Sequence, residues 1–162
     1  MAVTLDLKLL LLVAVANGAP LVAKMVLGHR LSYPLDCRLK LADGEPLFGL
    51  SKSFRGVALA VIATALVAPL LGIAWRIGAL IAALAMAGDL CSSFLKRRLK
   101  LPASSMALGL DQLPESLFPL LGCVPFFPLS ATDIAAIVIC FFAGELLMSR
   151  ALYELHLRDR PY

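Results

Sequence analysis

The stretch IGALIAALAMAGDLCSSFL, residues 77–95, contains one charged side chain, Asp89, and is followed directly by the basic run KRRLK at residues 96–100. A membrane-spanning helix needs about 20 consecutive, mostly apolar residues. This stretch therefore predicts a spanning helix whose basic end lies at a membrane surface.

The rest of the chain has the composition of a membrane protein. Of its 162 residues, 60% are hydrophobic and 16% are charged, whereas about 25% of residues are charged in soluble domains. The apolar segments predict five spanning helices, at residues 5–27, 56–75, 77–95, 114–130 and 133–152. The fourth contains Pro119, Pro125 and Pro128 beyond its first turn, so we expect a short helix that ends in an irregular turn. We interpret residues 1–162 as a single all-α integral membrane domain.

The basic residues are divided very unevenly between the two sides that five spans define. Of the 15 lysine and arginine residues, only Lys8 and Arg76 fall on one side, and the other 13 fall on the opposite side. Because basic residues mark the cytoplasmic loops of membrane proteins, we expect both long loops and the C-terminus in the cytoplasm and the N-terminus outside. The chain is thus predicted to be a multi-pass cell-membrane protein with its active site on the cytoplasmic side.

The first apolar segment is interpreted as a retained span. The alternative is a cleaved secretory signal peptide with its apolar part at residues 9–15. Asp6 offsets Lys8, so the positive leader of such a peptide is missing, and the segment continues apolar beyond Ala19.

Asp89 is the residue that says most about function. A lone carboxylate within a spanning helix costs about 2.5–3.5 kcal/mol on insertion scales, so Asp89 must face a polar cavity, a cation or a partner. Helical spacing places hydroxyl and ammonium groups on its face, from Ser92 or Ser93, Lys96 and Lys100. Such a face suits a cation bound to a phosphate. The alternative is a structural salt bridge near the helix end.

The polar segment that follows returns a carboxylate, Asp111, to the same side. Carboxylate oxygens are ligands that hard cations such as Mg²⁺ prefer, so Asp111 is a candidate second metal ligand. The alternative is an ordinary solvated or helix-capping residue. The basic run at residues 96–100 also has an alternative reading, as an anchor for anionic lipid headgroups.

The other long polar segment contains FGLSKSFRG at residues 48–56, where two glycines flank Lys52 and Arg55 just before a predicted helix. Mobile backbone and two cations can wrap a polyphosphate. The spacing of a Walker A loop is absent, and the alternative is a plain juxtamembrane loop.

Taken in order, these motifs resemble the archaeal CDP-archaeol synthase family, which is distantly related to the CDP-diacylglycerol synthases. The resemblance extends from about residue 15 to residue 122. It rests on Asn17 with Pro20, Pro34-Leu35-Asp36, Asp43-Gly44, Phe48-Gly49, Lys52-Ser53-Phe54-Arg55-Gly56, Gly88-Asp89, Ser93-Phe94, Lys96-Arg97-Arg98 and Asp111-Gln112.

The resemblance implies a five-helix membrane enzyme with two cytoplasmic loops over a charged cavity. It implies transfer of CMP from CTP to a phosphatidate-like or archaetidate-like lipid phosphate, with Mg²⁺ as cofactor and pyrophosphate as the second product. Asp89 and Asp111 would be metal ligands and, with Lys96, catalytic residues. The CTP-binding residues would be Lys52, Ser53, Arg55, Ser93, Arg97 and Gln112. The expected partners are CTP, a membrane lipid phosphate and the bilayer, with no nucleic acid.

The chain departs from the family pattern at two places. KSFRG at residues 52–56 replaces Lys-Thr-Trp-Arg-Gly, and Pro114 followed by Glu115 stands where the family has an acidic residue two positions after the glutamine. Either Glu115 substitutes or a ligand is lost, which leaves open an inactive relative with a structural or regulatory role. A second alternative is a small transporter that uses Asp89 and Glu145 as proton-coupled sites.

Overall fold

The structure, a computed structural model, describes residues 2–28, 30, 32–101, 107 and 109–154. These residues form five helices, α1 (Ala2–Leu27), α2 (Phe54–Leu70), α3 (Trp75–Arg98), α4 (Gln112–Cys123) and α5 (Ala131–Glu154). Outside the helices, the described residues form two isolated β-bridges and no strand, so the predicted all-α class is confirmed. The C-terminal tail, predicted to be cytoplasmic, lies outside the described residues.

Among the described residues, three helices are long and apolar enough to cross a membrane. Their candidate spans are Thr4–Leu27, Trp75–Arg98 and Ala131–Ala151. Helix α2 is apolar but has only 17 residues, at the short limit of the roughly 17–25 residues that spans use. Helix α4 has 12 residues, a length typical of a helix buried inside a bundle.

Helix α2 ends at Leu70, five residues before the predicted end of the second span. The N–H of Gly72 bonds the carbonyl of Pro69, and the N–H of Ile73 bonds that of Ala68, both at 3.0 Å. This is the Schellman pattern, which requires a left-handed residue after the helix, and Gly72 provides it with a φ of +73°. The connection to α3 is therefore a tight turn, and Arg76 lies within the first turn of α3.

Helix α4 ends at Cys123, seven residues before the predicted end of the fourth span. Pro125 and Pro128 follow within five residues. Because proline lacks an N–H and restricts the residue before it, the chain leaves the helix here and turns toward α5.

Helix α3 is the centre of the bundle and contacts α1, α2 and α4. Small residues allow its neighbours to come close. A Cβ at Gly78 would lie 2.6 Å from the Cβ of Ala68 on α2, and a Cβ at Gly88 would overlap the carbonyl of Pro114 on α4. Close helix contact at small residues is usual in membranes, and here it sets the position of α4 against the buried acid of α3.

The apolar core lies between the helices, toward the end of the bundle remote from the long loops. It contains Leu9, Leu12 and Val13 of α1, Ile81 of α3, Leu120 and Cys123 of α4, and Ile137 and Phe141 of α5. The polar residues of α3, from Asp89 onward, lie at the other end of the bundle. They are beside the first long loop, which joins α1 to α2 through residues 28–53.

Candidate active site

A cavity of about 530 Å³ lies between α1, the first long loop and the facing parts of α2 and α3. Its charged lining consists of four basic side chains and one acid, namely Lys24, Arg38, Lys52, Arg55 and Asp89. Apolar side chains of the helices complete the wall, namely Pro20, Val57, Met86 and Leu90. The cavity thus joins a strongly cationic mouth to an apolar wall made by membrane helices.

The ends of the first long loop are joined beside this cavity. The N–H of Leu35 bonds the carbonyl of Lys52 at 2.8 Å, and the N–H of Phe54 bonds that of Tyr33 at 3.2 Å. Ser53 begins α2 as its N-cap, with Oγ accepting a bond from the N–H of Gly56 at 3.2 Å. Because this backbone is fixed on both sides, Lys52 is presented from a defined position.

Lys52 and Asp89 form an ion pair in the cavity wall. The Nζ atom of Lys52 lies 2.5 Å from Oδ1 and 2.6 Å from Oδ2 of Asp89. Both side chains are about one-fifth exposed, 23% and 20% respectively. Asp89, which is only partly buried, therefore faces the cavity, as its insertion cost requires.

Glu115, in the first turn of α4, is buried beside the same acid. Its carboxyl group lies close to that of Asp89, and Glu145 of α5 and Lys52 are also near it. Two carboxyl groups in contact need a shared proton or a neutralising cation. From the sequence, Glu115 is a candidate only to replace the acidic residue that the family has two positions after the glutamine. The structure brings Glu115 beside Asp89.

Asp111 is paired with Lys96, whose Nζ lies 2.7 Å from Oδ1 of Asp111. Its second oxygen accepts a bond from the N–H of Ala107 at 3.1 Å. The two predicted metal ligands are thus held by two different lysines. In the described part of the chain, no three His, Cys, Asp or Glu side chains are grouped as a metal cluster.

Asp89 and Glu115 nevertheless bring carboxylate oxygens together that could serve as metal ligands. Carboxylate pairs of this kind suit a hard divalent cation. The donor chemistry therefore fits Mg²⁺ at Asp89 with Glu115, whereas Asp111 interacts with Lys96.

Ser92, Ser93 and Gln112 are buried where α3 meets the start of α4. The Oγ of Ser92 lies 2.8 Å from the carbonyl oxygen of Leu110 and 3.0 Å from that of Gly88. The Oε1 of Gln112 accepts a bond from the N–H of Gly109 at 2.9 Å. None of the three lines the described cavity; Ser92 joins α3 to the residues just before α4, and Gln112 bonds within that segment.

Arg55 and Arg97, both predicted to bind CTP, lie on different sides of the first loop. The guanidinium of Arg55 donates to the carbonyl of Gly28 at 3.1 Å and to that of Arg30, which ties the end of α1 to α2. Arg97 is buried under the first loop. A Cβ atom added to Gly49 of that loop would lie 3.9 Å from the Cδ of Arg97. Of the two, only Arg55 lines the cavity.

Asp36 is a buried anchor of the first loop whose role was not predicted. Its carboxylate accepts bonds from three backbone N–H groups, of Arg38 at 3.0 Å, Phe48 at 3.1 Å and Gly49 at 2.9 Å. Burial by itself would raise the pKa of Asp36, but these N–H bonds outweigh it and hold the pKa below its usual value. Its place in the Pro34-Leu35-Asp36 motif was the only signal in the sequence.

Arg98 fastens the tip of the same loop to the end of α3. Its guanidinium forms an ion pair with Asp43 and donates to the carbonyls of Pro46 at 2.8 Å and Glu45 at 3.3 Å. The basic run at the end of α3 therefore has three separate functions in the fold: Lys96 pairs with the second loop, Arg97 lies under the first, and Arg98 clamps its tip.

Comparison with known proteins identifies the relatives of this chain. Residues 74–162 match the family model described as CarS-like: CDP-archaeol synthase. A CDP-archaeol synthase of Sulfurisphaera tokodaii is 34% identical over 155 residues, covering 91% of this chain and 89% of that protein. One of Pyrobaculum calidifontis is also 34% identical, with 91% of each chain covered.

A solved structure of an intramembrane enzyme for archaeal membrane lipid biosynthesis is similar throughout. It superposes with a TM-score of 0.77 at 26% identity, covering 87% of this chain and 90% of the other. These matches confirm the resemblance indicated by the motifs. The chain belongs to the CDP-archaeol synthase family.

Proposed function

We propose that this protein is a CTP-dependent cytidylyltransferase that converts a membrane lipid phosphate to a CDP-lipid and releases pyrophosphate. The observation that carries the proposal is the cavity whose cationic mouth, with Lys52 paired to Asp89, opens beside an apolar wall of membrane helices. Relatives named CDP-archaeol synthase match over most of the chain, which supports an ether-linked lipid phosphate as the substrate.

The two ends of the cavity suit the two substrates. A nucleoside triphosphate and a lipid phosphate are both polyanions, and Lys24, Arg38, Lys52 and Arg55 supply the opposite charge. Pro20, Val57, Met86 and Leu90 supply apolar contacts for a lipid chain. The lipid therefore enters sideways from the bilayer, while CTP arrives through the basic loops, which we place on the cytoplasmic side.

In the reaction, an oxygen of the lipid phosphate attacks the α-phosphorus of CTP. A new P–O bond forms there, and the bond from the α-phosphorus to the oxygen bridging to the β-phosphorus breaks. Pyrophosphate leaves with that electron pair. The nucleophile is already an anion, so no strong general base is required. The protein must instead align two anions and balance the charge that builds up on the leaving group.

Lys52, which lines the cavity, is placed for that task, whereas Lys96 does not line the cavity and is assigned to the task only by the resemblance to the family. Asp89 holds the ammonium group of Lys52, and Asp111 holds that of Lys96. A carboxylate partner restricts the rotamers of each lysine, so less ordering remains when the phosphates bind. A divalent cation such as Mg²⁺, held by Asp89 and Glu115, would supply further neutralisation of phosphate oxygens.

The decisive experiment is to incubate the purified protein with CTP labelled at the α-phosphate, Mg²⁺ and a panel of ether- and ester-linked lipid phosphates. We expect a labelled lipid and unlabelled pyrophosphate. Asp89→Asn should abolish the product while the protein inserts and folds. The matched control is Asp6→Asn, near the start of α1, since the cavity lies at the other end of that helix.

Two results would overturn the proposal. Full activity of Asp89→Asn would remove the assigned role of Asp89. CTP binding without turnover by the wild-type protein would identify an inactive relative, in which the Lys52–Asp89 pair is only structural.

A further inference from the structure

The backbone at Cys37 and Arg38 adopts an unusual conformation beside the cavity. The two residues are the centre of a tight turn closed by a 2.7 Å bond from the N–H of Leu39 to the carbonyl of Asp36. Their φ angles are +48° and +65°. Two successive left-handed residues, neither of them glycine, are strained, and such strain concentrates at functional sites when the surroundings enforce it.

Asp36 is what enforces this turn. One carboxylate oxygen accepts the N–H of Arg38, and the other accepts the N–H groups of Phe48 and Gly49 on the returning part of the loop. Asp36 is 6% exposed. Because a buried carboxylate with three N–H partners is rigid, the orientation of the Arg38 backbone is fixed relative to the rest of the loop.

The consequence lies in where the Arg38 side chain is placed. It lines the cavity together with three other cations, Lys24, Lys52 and Arg55. Lys52 is neutralised by Asp89, and Arg55 donates to two backbone carbonyls. Arg38 has no acidic partner among the residues that the structure describes. The N–H donors of its guanidinium are therefore not engaged by a described acid at the cavity wall.

We propose that Arg38 binds a phosphate group of a substrate in this cavity, and that Asp36 is the residue that positions it there. A guanidinium can donate two parallel N–H bonds to a phosphate. The phosphate belongs either to CTP or to the lipid substrate. The inference rests on the proposed function, since both ligands are substrates of that reaction.

The test compares Arg38→Gln and Arg38→Lys with Lys40→Gln, a matched control two residues away that does not line the cavity. The KM for CTP and the KM for the lipid phosphate are measured separately, and CTP binding is measured calorimetrically without lipid. We expect Arg38→Gln to raise one KM about tenfold or more, Arg38→Lys to restore part of the loss, and Lys40→Gln to leave both values unchanged. The KM that rises identifies the phosphate.

Asp36→Asn distinguishes positioning from general folding. It should raise the same KM as Arg38→Gln, and the double variant should add little to either single change. Kinetic values for Arg38→Gln equal to those for Lys40→Gln would overturn the assignment. If the wild-type protein binds CTP but forms no CDP-lipid, the proposed function fails separately. The calorimetric comparison of Arg38→Gln with wild type, repeated with a lipid phosphate in nanodiscs, then decides the role of Arg38. If Arg38→Gln binds both CTP and the lipid phosphate as tightly as wild type does, the assignment is refuted.

Discussion

Lys52, at the end of the first loop, and Asp89, in the C-terminal half of the central helix α3, meet with Nζ 2.5 Å and 2.6 Å from the two carboxylate oxygens. The contact joins a segment outside the helices to the buried polar end of α3. It neutralises the acid whose burial would otherwise be costly and fixes a lysine at the wall of the cavity.

A charge exchange across this pair separates a structural role from a chemical one. Lys52→Asp with Asp89→Lys restores an ion pair of opposite orientation, so we expect the double variant to be more stable to heat than either single variant. Activity should stay at least about 100-fold below wild type, because the cation no longer occupies the position assigned to it. Thermal unfolding in detergent and labelled CDP-lipid formation measure the two properties. Recovery of activity in the double variant would show that the pair only maintains the fold.

Glu115 gives a test of divalent-cation binding. Glu115→Gln removes one of two carboxyl groups in contact, so we expect the apparent affinity for Mg²⁺ to fall roughly tenfold to a hundredfold. Mn²⁺ binding measured by electron paramagnetic resonance gives a readout independent of turnover. Glu154→Gln, at the exposed end of α5, is the control. An unchanged Mn²⁺ isotherm would mean that the two carboxyl groups share a proton and hold no metal.

Hydropathy was sufficient to predict the helices, but not where they end. The five segments are recognisable because an apolar run is nearly free of charge. The end of α2 depends on the left-handed Gly72, and that of α4 on Pro125 and Pro128. Both are local backbone effects that a hydropathy average does not contain.

The pairings of the candidate residues could not be predicted from the sequence, and their roles in the site stay predictions. The burial cost of Asp89 pointed to a partner or a cation, yet its partner Lys52 is 37 residues away in sequence. Glu115 reaches Asp89 because Gly88 lets α4 approach α3. Ser53 and Gln112, predicted as CTP contacts, bond to neighbouring backbone. Such pairings depend on how helices and loops pack, which helical spacing within one segment cannot supply.

The first loop should loosen at low pH through Asp36. The pKa of Asp36 is lower in the folded protein than in the unfolded chain. Burial raises this pKa, but the hydrogen bonds from the backbone N–H groups of Gly49, Phe48 and Arg38 lower it by more than burial raises it. Its stabilising contribution is therefore complete above the unfolded pKa of about 3.9. That contribution is lost as the pH falls through the folded value. Hydrogen exchange of the Phe48 and Gly49 amides measures it, and Asp36→Asn should abolish the acid-dependent change. Identical pH profiles for both proteins would contradict the assignment.

Arg98 should matter more to the loop than to global stability. Arg98→Ala removes the ion pair with Asp43 and two bonds to carbonyls. An exposed ion pair contributes only about 0–1 kcal/mol, so the unfolding temperature should change little. The tip of the first loop, around Gly44, should be cleaved faster by protease. Lys100→Ala, two residues beyond, is the control, and equal cleavage of the two variants would show that Arg98 does not hold the tip.

Gly88 tests whether the close approach of α3 and α4 builds the site. A Cβ at this position would overlap the carbonyl of Pro114, and backbone cannot yield as a flexible side chain can. Overpacking of this kind costs about 1–3 kcal/mol, and the displacement would separate Glu115 from Asp89. We therefore expect Gly88→Ala to lower both the unfolding temperature and the activity. Gly144→Ala, where a Cβ meets nothing within 4 Å, should be neutral or slightly stabilising, because alanine favours a helix. Wild-type activity in Gly88→Ala would show that the contact between α3 and α4 is not required for the reaction.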